Sequence, residues 1–305
     1  MTVHPQAAAG GIERGVPLAR LTTVGIGGPA RALARPTTIE ELEQIVAWAA
    51  AEGTAIVPIG LGSNVLAADE GLDATVVRLA GELTAVDVRG KTLVAGGGAA
   101  NAVCLHRARA AGLGGIEFAC AIPGTAGGGV RMNAGAYGGE WGDVVSRALV
   151  VDAEGTGWLR NDELELSYRH STLRPGQVVA QVEFELRPTP PATIKQTVGE
   201  MNSRRKATQP TNRRTFGSVF KNPNHDLGAG EMLDACGLKG HRIGGARISP
   251  RHANFIENVD GARGEDAIGL MIEGRRRAFE QFGVVLEPEV ELLGPLELPP
   301  LLGPD

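Results

Sequence analysis

Gly60-Leu-Gly-Ser-Asn64 follows an apolar run, Ala55-Ile-Val-Pro-Ile59, and concentrates glycine, hydroxyl and amide groups in one turn. Consecutive backbone N–H groups in such a turn form a concave nest for an anion, and Ser63 and Asn64 add side-chain donors. The spacing begins like the dinucleotide fingerprint G-x-G-x-x-G, but Val65 stands where the third glycine belongs, and Ala67-Ala-Asp-Glu-Gly71 reads as a turn rather than a helix. A Rossmann site is therefore a poor fit. A second glycine-rich run reads Pro123-Gly-Thr-Ala-Gly-Gly-Gly129, then Met132-Asn-Ala-Gly-Ala-Tyr-Gly-Gly139. Two such loops, each after a strand, suit a long ligand with a pyrophosphate in its middle. Taken singly, each is more often a tight turn that binds nothing.

Other groups read blandly when taken alone. Arg169 stands in Tyr168-Arg-His-Ser171, where position by itself gives an exposed loop arginine. In Phe216-Gly-Ser-Val-Phe-Lys-Asn-Pro223, strand alternation puts Phe216, Ser218 and Phe220 on one face, so the hydroxyl sits between aromatic rings. Near the end, Glu287, Glu289 and Glu291 alternate with Leu286, Val290 and Leu292, a pattern of a solvated acidic face. Arg204, Arg205 and Lys206 close a helix, where cations also favour the negative end of the dipole. Gly-x-Ser-x-Gly is absent, so no hydrolase elbow is present, and the six histidines show no metal-ligand spacing.

Composition narrows the class. Lys plus Arg is 30 against 35 for Asp plus Glu, a net charge of −5, which disfavours nucleic acid as a partner. Three cysteines with no CxxC pair argue against a disulfide framework or a zinc site and fit a reducing cytoplasm. Met1 to Gly15 lacks the apolar core of a signal peptide, and no stretch of about 18 apolar residues offers a membrane span. No obligate protein partner is evident.

Together the glycine loops resemble those of the UDP-N-acetylenolpyruvoylglucosamine reductase (MurB) family, of the shorter variety. Thr23-Val-Gly-Ile-Gly-Gly-Pro-Ala30 resembles its entry segment, and the resemblance runs from about Leu21 to Leu292. It implies an α+β protein: a two-subdomain FAD-binding fold of the vanillyl-alcohol-oxidase (PCMH) type plus a C-terminal α+β substrate domain. FAD would be embraced by Gly60, Gly62, Ser63, Asn64, Val65, Pro123, Gly124, Thr125, Gly127, Gly128, Asn133, Ala134 and Gly135. The implied activity is that of a UDP-N-acetylmuramate dehydrogenase, with NADPH as reductant and a UDP-enolpyruvyl sugar as substrate. Its chemistry needs a hydride source, a charge stabiliser and a proton donor. The family motifs match Arg169 as the arginine facing the substrate carboxylate and the developing enolate, Ser218 as the proton donor, and Glu289 as the assisting carboxyl. Tyr168, Lys221, Asn222 and Lys206 are the candidates for holding substrate, the last three for its diphosphate, which Arg204 and Arg205 could also serve. His252 in Arg251-His-Ala-Asn254 is read as structural or lining the site. Two positions depart from the pattern: Phe216 where a small residue is usual, and Glu257 where an apolar one is. The short chain from Arg169 to Val178 leaves no room for a long lid. A flavin oxidoreductase acting on another substrate would lack the Ser218 and Glu289 motifs together. A non-catalytic flavin or nucleotide-binding protein need keep only the loops.

These groups require elements to position them. Thr37 and Glu40 form a capping-box pattern for a helix ending at Gly53. Strands are expected at 55–59, 75–79, 83–88 and 92–95, a helix at 101–111, then a long loop at 122–140. Strands at 148–152 and 178–186 lead to Arg187-Pro-Thr-Pro-Pro191, the clearest linker. The expected division is an N-terminal extension at 1–17, an FAD domain at 18–190 (subdomains about 18–80 and 81–190), a substrate domain at 191–293 and an irregular tail at 294–305. Helices at 194–206, 231–236 and 265–282 and strands at 216–221 and 284–292 complete the second part.

Overall fold

A computed structural model describes residues 11–300. Residues 1–10 of the expected extension and 301–305 of the tail lie outside the described residues. None of the described helices is long and apolar enough to cross a membrane. The chain forms two compact units, each drawn from separate stretches. The first takes the chain up to Arg14, Arg31–Leu61 and Asp73–Arg204; the second takes Gly15–Ala30, Gly62–Leu72 and the chain from Arg205 onward. This differs from a linear division at 190 and 191. The proline-rich stretch there is not a free linker: Arg187–Pro188 pairs antiparallel with Leu113–Gly114, and the Thr189 amide donates to Gly112 O at 2.8 Å. Pro191 then opens the helix Pro191–Thr208, where its missing N–H costs no hydrogen bond.

The first unit is built on a five-stranded antiparallel sheet in the order Gly155–Arg160, Val145–Asp152, Val178–Glu185, Thr92–Gly96, Val86–Arg89. Its central strands are apolar on both faces, because each face is covered. Ala148, Val150, Val179 and Val182 point into a core with Trp141, Phe184 and Phe118 and with Cys104, Leu105 and Ala108 of the helix Asn101–Ala110. Leu149, Val151, Val178 and Ala180 meet Leu42, Ile45, Val46 and Ala49 of the helix Ile39–Ala51. That helix is capped one residue later than the sequence pattern suggested. Thr38 accepts from the Glu41 amide at 3.2 Å, and the Glu41 carboxylate accepts from the amide of Thr37, the residue before the cap, at 2.7 Å.

Further expectations are corrected. The stretch expected as a strand at 83–88 begins as a 3-10 turn, Gly81–Thr84, before the strand Val86–Arg89. The expected loop at 122–140 contains the six-residue helix Ala126–Arg131 and a hairpin pairing Gly135–Ala136 with Gly139–Glu140. Thr125 caps that helix through Gly128 N, a local signal that the run of glycines conceals in the sequence.

The second unit has a four-stranded antiparallel sheet in the order Thr215–Ser218, Phe255–Asn258, Ala246–Ile248, Arg242–Ile243. Ala267, Leu270, Met271 and Ala278 of the helix Gly264–Phe282 share a core with Phe216, Phe220, Ala246, Ile248 and Ile256. The expected strand at 284–292 is reduced to Glu291–Leu293, which pairs in parallel with Val65–Ala67. Pro288 cannot donate to a ladder, which shortens it. Of the tail, Leu296 and Leu298 still pack on this core.

Candidate active site

In the second unit Ser218 ends an edge strand whose register is irregular. Thr215 faces Glu257 and Ser218 faces Phe255, so three steps on one strand match two on the other. Gly217, at φ +83°, takes up the extra residue as a β-bulge. The bulge overturns the simple alternation. Paired residues share a face, so Thr215 and Ser218 both lie with Phe255, Glu257 and Arg247, while Phe216 is buried with Ile256 in the core. Ser218 is therefore not flanked by Phe216 and Phe220 as expected; both of those rings are buried in the core, and Ser218 is half-buried.

Backbone bonds tie the residue after this serine, Val219, to Glu289. The Glu289 amide donates to Val219 O at 2.8 Å, and the Lys221 amide donates to Glu287 O at 2.9 Å. Asn64 Nδ2 donates to Glu289 O at 3.0 Å, and Glu291 N donates to Asn64 O at 3.0 Å. Ser63 O lies 3.3 Å from where a side chain on Gly217 would begin. Ser63, Asn64, Ser218 and Glu289 are thus one assembly. Gly62 makes it possible: its φ is +62°, and a Cβ there would lie 2.1 Å from Leu21 O. Leu286 and Val290 are buried, Glu287 and Glu291 exposed and Glu289 half-buried, so the alternation survives without a continuous strand.

Asn254, which the sequence reading passed over, fixes the Ser218 segment. It is 4% exposed; its Oδ1 accepts from Phe220 N at 2.9 Å, and its Nδ2 donates to Phe220 O at 2.8 Å. Asn254→Ala leaves both main-chain groups buried without partners. We expect stability to fall by about 2–4 kcal/mol in a urea titration; wild-type stability would refute the role. His252 beside it is structural. Its Nδ1 accepts from Asn254 N at 3.3 Å and its ring meets Phe255 edge-on. Burial first, and Lys239 second, hold its imidazole below the usual histidine range. Glu257 is 2% exposed and bonds Arg247 at 2.7 Å, which accounts for a carboxylate where an apolar residue is usual. Lys221 Nζ lies 3.6 Å from Glu287, and Asn222 Oδ1 accepts from Ala229 N. Lys206 is exposed in the last turn of its helix.

In the first unit, Arg169 sits in a tight turn closed by reciprocal bonds between Ser167 and His170. Its φ of +54° is unfavourable for a side-chain-bearing residue by about 1–2 kcal/mol. Neighbouring bonds hold it there. Asn133 Nδ2 donates to Ser167 O at 2.9 Å, Ser171 Oγ to Arg131 O at 2.7 Å and Arg169 Nη2 to Gly135 O at 3.1 Å. Its guanidinium carbon lies 4.9 Å from the ring centre of Tyr168, which is 47% exposed. Asn133 is 0% exposed and its Oδ1 accepts from Gly142 N, so its side chain joins the glycine loop to the Arg169 turn. Ala134 and Gly135 serve the same connection through Trp141 N→Ala134 O and the Gly135 carbonyl.

The same unit holds a cleft of about 200 Å³ lined by Gly60, Leu61, Thr125, Gly127, Gly128, Arg78 and Arg131 among others, and by no carboxylate. The helix-start amides are already engaged: Ala126 N donates to Ala99 O, Gly127 N to Gly97 O and Gly128 N to Thr125 Oγ1. Pro123 and Gly124 lead into this turn, with Asn101 N bonding Gly124 O. Among the described residues, the amides of Gly60 and Leu61 have no acceptor. Open amides, two arginines and no acid fit a phosphate-bearing ligand such as FAD. Arg78 and Arg131 were not singled out from the sequence; Arg78 merely follows the apolar strand Leu72–Val77.

Two family models match the chain: an FAD binding domain over residues 30–158, and the C-terminal domain of UDP-N-acetylenolpyruvoylglucosamine reductase over 209–293. A UDP-N-acetylenolpyruvoylglucosamine reductase of Anaeromyxobacter dehalogenans is 44% identical over 94% of this chain and 86% of its own length. One from Symbiobacterium thermophilum is 42% identical over 93% of each. The crystal structure of the reductase of Thermus caldophilus is 37% identical and superposes with a TM-score of 0.82, covering 93% of this chain and all of that one. The α+β FAD-binding fold with its C-terminal domain is borne out.

Proposed function

Because this chain belongs to the UDP-N-acetylenolpyruvoylglucosamine reductase family, we propose that Arg169, Ser218 and Glu289 carry the reaction of that family in it. The chain is a flavin-dependent oxidoreductase. It reduces UDP-N-acetylglucosamine enolpyruvate to UDP-N-acetylmuramate in peptidoglycan precursor synthesis, with FAD bound and NADPH as reductant. The observation that carries the assignment of Ser218 and Glu289 is the set of hydrogen bonds that joins Glu289 to Asn64 of the first glycine loop and to Val219, the residue after Ser218.

When bound, FAD supplies a hydride to the terminal vinyl carbon of the substrate. Arg169 then faces the substrate carboxylate, where its planar, permanently charged fork stabilises the enolate that develops. The Ser218 hydroxyl delivers its proton to the adjacent carbon. A neutral hydroxyl is a poor acid, and a strongly basic carbanion is the acceptor it suits. Glu289, when protonated, hydrogen-bonds the enolate. Tyr168 borders Arg169, and Lys221, Asn222 and Lys206 are assigned to the substrate diphosphate. Residues 18–190 are assigned to the cofactor and 191–293 to the substrate, and the protein is assigned to the cytoplasm.

The purified protein should be yellow, with one FAD per chain, and should oxidise NADPH beyond one equivalent per flavin, at a sustained rate, only when the UDP-enolpyruvyl sugar is present. A colourless protein that takes up no added FAD, or oxidation that ignores the sugar, would refute the reading.

A further inference from the structure

We propose that Arg78 supplies the positive charge that holds the diphosphate of FAD in the first unit's cleft, with the Gly60 and Leu61 amides as its neutral partners. The proposal rests on the flavin reading above and names the residue of this chain that meets the ligand's charge.

The cleft has two cationic side chains and no anionic one. They are not equivalent. Arg131 donates through Nη1 to Leu173 O at 3.4 Å and through Nη2 to Gln177 O, so its guanidinium braces the segment 173–177. Arg78 is anchored by its backbone, with its amide donating to Ala34 O at 3.0 Å. Its side chain is half-buried, and among the described residues its guanidinium has no hydrogen-bond or ion-pair partner. A half-buried guanidinium without a counter-charge is unfavourable, and an anion entering the cleft relieves it.

The amides divide in the same way. Those of Ala126, Gly127 and Gly128 are bonded within the protein, so this helix start shapes the cleft rather than presenting its amides to it. Those of Gly60 and Leu61 remain for a ligand. Neutral amides orient phosphate oxygens, but a diphosphate also carries net charge, and Arg78 can meet it with a bidentate fork.

The test is FAD affinity of the full chain after removal of its flavin, read by quenching of flavin fluorescence over a range of salt concentrations, with ADP as competitor. Arg78→Gln should weaken FAD binding about 10- to 100-fold, the usual worth of a charge-assisted contact, and weaken ADP in parallel. It should also flatten the dependence of FAD affinity on salt, while Arg78→Lys keeps most of that dependence. Unchanged FAD affinity in Arg78→Gln would overturn the proposal. So would a loss of affinity with the salt dependence intact, since that marks general damage to the cleft. A wild-type chain that binds no FAD would overturn the cofactor reading as well, which separates the two failures.

Discussion

Replacing Ser218 by alanine should leave the reduction of FAD by NADPH nearly intact and slow reoxidation of the reduced flavin by the enolpyruvyl substrate about 100- to 10,000-fold. That is roughly 3 to 5 kcal/mol of barrier. The first half-reaction needs no proton from Ser218, whereas the second ends when carbon receives one. The bulge at Gly217 is what presents this hydroxyl: it places Ser218, itself half-buried, on the face with Thr215 and Phe255, away from the core that takes Phe216. Backbone bonds from Asn254 and Glu289 hold the segment independently of the hydroxyl, so loss of one oxygen should not move it. Stopped-flow absorbance of the flavin separates the two steps. Equal slowing of both would mean that the change disturbs flavin placement. An unchanged second step would mean that another group delivers the proton, and either result removes Ser218 as donor.

The second large effect is expected for Arg169→Lys, with turnover falling about 100- to 1,000-fold while FAD stays bound. Charge is retained, so the loss isolates the fork. A lysine ammonium is a point donor; it cannot meet Gly135 O and also present a planar pair of N–H groups to a carboxylate. The turn itself is fixed by the Ser167–His170 bonds and by Asn133 and Ser171, none of which involves the guanidinium, so the backbone should persist. Steady-state rates with the enolpyruvyl sugar, set beside the visible spectrum of the variant, are the measurement. Near-normal turnover would take Arg169 out of the mechanism. A colourless variant would show instead that Arg169 supports the flavin loop through Gly135.

Much of the local structure was legible in residue order because it depends on near neighbours. The helix ending at Gly53 announced itself by apolar spacing and a left-handed glycine, and the helix Gly264–Phe282 by its stripe of Ile268, Met271 and Ile272. The glycine loops, and the motifs around Arg169, Ser218 and Glu289, could be read as strings. What failed was whatever depended on distant partners. Strand alternation put Ser218 beside Phe216, but the pairing of Thr215 with Glu257 and of Ser218 with Phe255 required one residue to bulge. Proline density suggested a linker where Arg187–Pro188 finds a strand partner some 75 residues earlier. Glycine density suggested that both loops meet one long ligand, yet only hydrogen bonding tells their amides apart: Gly127 and Gly128 donate inward, and Gly60 and Leu61 do not.

By itself, then, the sequence determined the chemical vocabulary of this protein: which residues can stabilise an enolate, give up a proton or approach a phosphate. It also determined the longer helices, whose periodicity is written within a few turns, though not the short glycine-rich helix Ala126–Arg131. Only the tertiary structure decided which copy of each feature is in service. A backbone amide or a guanidinium is available to a ligand only if no carbonyl elsewhere in the chain has already claimed it. That depends on contacts between residues far apart in sequence, as Asn64 meets Glu289 and Asn254 meets Phe220.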